Sequence, residues 1–111
     1  MLMHPGDKLH VITRRLYEED LRRHFVGEVQ AVEQNAIRAK GYIFVLNNIT
    51  SQFIKKAEEH VRIFSLVDSG IIINIIPSEV DIEKVYYEVS NDNHLVVTDG
   101  NTFKLDIQEF Y

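Results

Sequence analysis

Alternation of apolar and polar residues with a period of two, broken at short intervals by turn residues, constrains this chain more than any other feature. It predicts β-strands with one face turned to a core. In "KLHVITR", Leu9, Val11 and Thr13 share one side and His10, Ile12 and Arg14 the other. "HFVGEVQAVE" and "AIRAKGYIFVLN" read as two strands of a hairpin turning at Gln34-Asn35. Gly27 and Gly41 lie inside them, where a glycine marks a bulge or a close backbone approach. "VRIFSLV" and "IIINII" read as a second hairpin around Asp68-Ser69-Gly70, with Gly70 supplying a positive φ. Val85, Tyr87 and Val89 alternate with Tyr86 and Glu88, "HLVVT" follows the turn "NDN", and "DGN" leads into "TFKLDI". In that last strand Phe103, Leu105 and Ile107 face inward.

Two stretches break the pattern. "RRLYEEDLRRH" has Leu16, Leu21 and Phe25 near helical spacing and reads as a helical turn or a charged loop. "NNITSQFIKKAEEH" reads as a loop, with Thr50 or Ser51 able to cap one helical turn. The prediction is a mainly β domain: about eight short strands in an antiparallel meander, curled into a small barrel or roll, with one or two short helical segments. The alternative is an α+β fold in which Leu16–Val32 is helical, since Leu21, Phe25, Val29 and Val32 also suit a helix face.

"IIINII", residues 71–76, is apolar on both faces apart from Asn74 and is stopped by Pro77, which cannot donate to a ladder. It therefore reads as the central strand, covered on both sides. Asn74 must then find partners, either by fixing register or by facing a ligand in a pocket.

The 111 residues suit one domain. The net charge of −5 is unevenly spread: residues 1–40 carry seven Lys/Arg against six Asp/Glu, and residues 41–111 five against eleven. An acidic chain argues against a nucleic-acid partner, because phosphate binding rests on clustered Lys/Arg. There is no cysteine, which removes disulfides and thiolate metal sites and fits a reducing compartment. The start "MLMHPGDKLH" has no signal-peptide pattern and no apolar run approaches membrane-spanning length, so a soluble, cytoplasmic protein is expected.

No catalytic pattern appears. His4, His10, His24, His60 and His94 form no H-x-H or H-x-x-x-H pair, and no glycine-rich phosphate loop or G-x-S-x-G elbow occurs. No cofactor or metal is expected, and the balance leans against an enzyme. Arg14, Arg15, Arg22 and Arg23 form the basic cluster, with Glu18, Glu19 and Asp20 close enough in sequence to neutralise them. Tyr86, opposite in sense to Val85 and Tyr87, should point outward and could serve an interaction surface.

At "GYIFVLNNIT", "RIFSLVDSGIIINIIP" and "LVVTDGNTFKLDIQEF" the chain resembles a family of small bacterial proteins with no known activity, which implies a stand-alone bacterial domain and carries over no site residue. In "GEVQAVEQN", Gly27, Val29, Glu33 and Asn35 resemble the first motif of Sm-like RNA-binding barrels, and "IRAKG" is similar to part of the second. The hydrophobic-Asn pair expected at the end of the first motif is missing. That resemblance implies nucleic-acid binding as the alternative function. The leading expectation is a non-enzymatic module that binds a protein partner or itself, since an open sheet edge invites pairing. A small-molecule site in a barrel mouth is the third.

Overall fold

The computed structural model of the chain describes residues 2–15, 17–68, 70–109 and 111; the helical reading of Leu16 and the turn at Ser69 lie outside them. Eight strands form: β1 (Lys8–Thr13), β2 (Arg23–Val32), β3 (Ala36–Asn47), β4 (Gln52–Ser65), β5 (Ile71–Ile76), β6 (Tyr86–Val89), β7 (Leu95–Thr98) and β8 (Lys104–Asp106). All ladders are antiparallel. The first five strands make one sheet in the order β4-β3-β2-β1-β5, and the last three a second sheet in the order β6-β7-β8. The helical content among the described residues is one 3₁₀ turn, Ile82–Lys84, whose first turn is capped by Asp81 accepting from the Glu83 N–H at 3.0 Å. The mainly β reading therefore holds, and the alternative of a helix running to Val32 does not, since β2 begins at Arg23.

No closed barrel forms, which corrects the barrel-or-roll expectation: β4 and β5 share no ladder. The five-stranded sheet is open, but it cannot be flat. Ser65 pairs at the Ala36 end of β3, whereas Ile71 pairs through Thr13 and Arg23 to the level of Val45. In a flat sheet those two ends would lie about 30 Å apart along the strands and about 19 Å across them. Residues 66–70 can reach only about 20 Å. The long strands must bend, and the cause lies at two glycines. Gly27 and Gly41 face each other across β2 and β3, and the register slips beside them, between Val29 and Ala31 and between Tyr42 and Phe44. A Cβ on Gly41 would collide with the Val26 carbonyl and Gly27 Cα, and one on Gly27 would sit 2.6 Å from the Lys40 carbonyl oxygen. The bend brings Phe64 of β4 and Ile71 and Ile73 of β5 onto one cluster with Leu9, Val11, Phe25, Val29, Ile37 and Ala39. The other face of the sheet, including Val26, Phe44 and Ile76, is covered by Val97 of β7 and by Val85, Phe103 and Ile107, which flank the strands of the second sheet.

Two strand readings are overturned. "IIINII" is not central: β5 pairs with β1 alone and is an edge, with Ile72 44% and Ile75 61% exposed. The strands buried on both faces are the interior β1, whose Leu9, His10, Val11 and Ile12 are all buried, and the middle strand β2, whose His24, Phe25 and Val26 are. Nor is Asp68-Ser69-Gly70 a hairpin turn. The segment links strands on opposite edges of the bent sheet, so "VRIFSLV" and "IIINII" share no hairpin ladder, and a positive φ is found at Gly100 of the "DGN" turn, at 77°. The loop read into "NNITSQFIKKAEEH" ends at Ser51, because Gln52 onward belongs to the fourteen-residue β4. Its charges mislead because β4 is the other edge, exposed along most of its length, so little apolar alternation is needed.

Candidate functional site

The antiparallel register of β1 and β2 pairs Ile12 with His24 and His10 with Val26. His10 and His24 therefore sit diagonally on one face, as cross-strand neighbours do. Their rings meet edge to face with centroids 5.1 Å apart. Asn74 lies directly opposite His10 on β5, and Tyr87 reaches in from β6 of the second sheet. His10 and His24 are 0% and 2% exposed. Phe53 packs at 4.5 Å from both the His24 and Tyr87 rings.

The hydrogen bonds form a directed chain. The Asn74 amide Nδ2 is 3.2 Å from His10 Nδ1, which must accept. His10 then carries its proton on Nε2 and donates to the Tyr87 hydroxyl at 2.9 Å. The hydroxyl donates to His24 Nδ1 at 2.7 Å. With Nδ1 accepting, the His24 proton sits on Nε2. That atom has no partner, and it is the buried side-chain polar atom left unsatisfied among the described residues. Burial holds both imidazoles neutral: it lowers the pKa of His10 to about 4, and burial, then His10 and Arg22, lower that of His24 to about 3. Burial also pushes the Tyr87 phenol well above its usual range. At neutral pH the group can donate and accept hydrogen bonds, but neither histidine is poised as a general acid or base.

His24 also forms part of the wall of a cleft of about 440 Å³, with Arg14, Arg15, Arg22, Ile72 and Tyr111 around it. Three of the four arginines singled out in the sequence thus meet at one place. Arg23 is not with them; it faces a groove beside Ile43 and Val45. Among the described residues no ion pair joins Glu18, Glu19 or Asp20 to the cluster. Among the described residues the two ion pairs are His4–Asp7 and His94–Asp106, and Arg15 instead donates to the backbone carbonyls of Glu18 and Asp20. Arg22 donates to the Tyr111 backbone oxygen at 2.6 Å and lies over its ring. Tyr86 points outward, 43% exposed, and does not line the cleft.

Sequence reasoning missed His10 and His24 as a pair. They are fourteen residues apart, a separation that matches no local motif, and only the β1–β2 register brings them together. The available signal was a histidine flanked by Leu9 and Val11 inside a strand pattern. Asn74, reached from the sequence, proves half-buried and bonded across the ladder rather than part of the cleft wall. Replacing it with Leu strips His10 Nδ1 of its donor. The expected loss is about 1–3 kcal/mol in urea unfolding, and unchanged stability would remove its structural role.

The fold and site together define an antiparallel two-sheet β domain with a buried His–Tyr–His chain beside an arginine-lined cleft. No family model matches this chain, and neither does any curated protein or solved structure. Among the described residues no helix is long and apolar enough to cross a membrane, and no group of three His, Asp or Glu side chains is placed to hold a metal ion.

Proposed function

We propose that the protein is a non-enzymatic assembly module that self-associates through β5. The observation that carries this reading is that "IIINII" is an edge strand. Its outer backbone row faces no neighbouring strand, and none of its six side chains is charged. Edge strands in monomeric proteins are ordinarily blunted with charge, bulges or cover. The opposite edge follows that rule: β4 carries Lys55, Lys56, Glu58, Glu59 and Arg62, and its ladder with β3 is bulged. β5 carries no charged side chain, and its ladder with β1 runs without a register shift. Its best-matched partner is a second β5, antiparallel about a twofold axis, which satisfies both outer rows and closes the assembly at a dimer. A heterologous pairing with the charged, bulged β4 matches less well.

Light scattering coupled to size-exclusion chromatography tests the reading. The parent chain should run as a dimer at micromolar concentration, and Ile75→Lys as a monomer. Because Ile75 is 61% exposed, this change should leave the fold of each protomer intact, which circular dichroism checks, while the unfolding midpoint loses its dependence on protein concentration. A parent chain that stays monomeric across micromolar concentrations overturns the proposal.

A further inference from the structure

We propose that Asn74 sets the register of the β5–β5 dimer, lying on its twofold axis and pairing with the partner's Asn74 through reciprocal amide hydrogen bonds. This rests on self-association through β5, as argued above.

Strand geometry leaves few registers open. Opposite residues of an antiparallel pair point to the same face of the sheet, and successive residues alternate. On β5, Ile76 packs on the side of Val26 and Phe44, whereas Ile71 and Ile73 pack on the side of Leu9 and Val11. An even-numbered residue must therefore meet an even-numbered one in the partner, and the axis must pass through a residue. An axis at Ile72 or Ile75 would pair only three residues of the six-residue strand. Axes at Ile73 and at Asn74 each pair five. Both cover Ile72 and Ile75, the two exposed isoleucines, so apolar contact alone does not separate them.

The amide of Asn74 does. Its Nδ2 donates one proton to His10 Nδ1 at 3.2 Å, which holds the group in place. Among the described residues its second N–H and its Oδ1 have no partner, and the side chain is half-buried on an edge strand. With the axis at Ile73, the partner's Ile72 would lie opposite that amide and strip its water with nothing in exchange. With the axis at Asn74, each amide gives its second N–H to the other's oxygen, and both are satisfied. Ile72 then meets the partner's Ile76, and Ile73 the partner's Ile75. One amide in an apolar interface thus selects between registers that the isoleucines leave equivalent, as a single buried Asn does in coiled coils.

Mixed dimers of ¹³C,¹⁵N-labelled and unlabelled chain, read by isotope-filtered NOEs, test the register. The expected contacts join Ile72 to the partner's Ile76, Ile73 to the partner's Ile75, and the Asn74 amide to the partner's Asn74. Contacts from Ile71 to the partner's Ile75 and from Ile73 to the partner's Ile73 overturn the proposal and leave self-association through β5 standing. A dimer without contacts between β5 strands, or a chain that light scattering finds monomeric, overturns both. Asn74→Leu, checked for folding by circular dichroism, should still dimerise but populate both registers, so that the expected contacts weaken about twofold and the second set appears. An Asn74→Leu dimer that keeps the single set shows that the amide does not choose the register. The parent's contacts decide the register whether or not this variant folds.

Discussion

Gly41→Ala should destabilise the domain severely, with a loss of about 4 kcal/mol or more in urea denaturation followed by circular dichroism. The reason is that the added methyl group has nowhere to go. It meets the Val26 carbonyl and the Cα of Gly27, both backbone atoms of the neighbouring strand. A flexible side chain could rotate away from such a contact, but a ladder can yield only by opening. Opening it here also relaxes the bend that brings Phe64 against the core with Ile71 and Ile73. A domain of this length holds only roughly 5–15 kcal/mol in total, so the change removes a large part of it. Gly100→Ala, at a turn with positive φ and the Tyr86 hydroxyl 3.3 Å from the added atom, should cost less, about 1 kcal/mol. If Gly41→Ala proves no more harmful than Gly100→Ala, the close approach of β2 and β3 is not what shapes the sheet.

Acid should destabilise the protein earlier than its carboxylates alone would. His10 and His24 are held neutral in the folded state, with pKa values lowered to about 4 and about 3, while in the unfolded chain they take up protons near 6.5. The unfolded state therefore binds more protons as the pH falls. Their contribution to stability is fully present above the unfolded value of 6.5, is lost as the pH drops below it, and falls no further once the folded values are passed. For His10 alone the loss amounts to about 3 kcal/mol. Among the described residues the charged and titratable groups facing the pair are Tyr87, Arg22 and the two rings themselves, and no carboxylate contributes to either shift. Urea midpoints measured between neutral pH and the folded pKa values should fall steeply. His10→Gln should have a visibly shallower slope, whatever its baseline stability. A parent profile that stays flat over that interval would show that the histidines are not buried neutral.

The strands themselves were legible from the sequence. Period-two patterning placed the β2–β3 hairpin, β7 and β8, and it correctly turned Phe103 and Ile107 inward and Tyr86 outward. Pro77 stopped β5 where it must. These are local properties: which side a residue faces and where a chain can turn follow from its own backbone and nearest neighbours. Partnership between strands is not local. "IIINII" looks central because it is apolar on both faces, yet it lies at an edge, since the order of strands in a sheet is fixed by which ladders close and not by hydrophobicity alone. The same distinction governs the candidate site. Arg14, Arg15 and Arg22 could be read as a cluster because they are near in sequence. That Arg23 leaves the cluster was decided by the path of the backbone. His10, His24, Asn74 and Tyr87 span more than seventy residues and belong to four strands in two sheets. The sequence by itself determined a β domain with these strands and turns. The tertiary structure alone decided that two histidines, each unremarkable in its own segment, share one buried proton chain, because only register and sheet packing set distances between residues far apart along the chain.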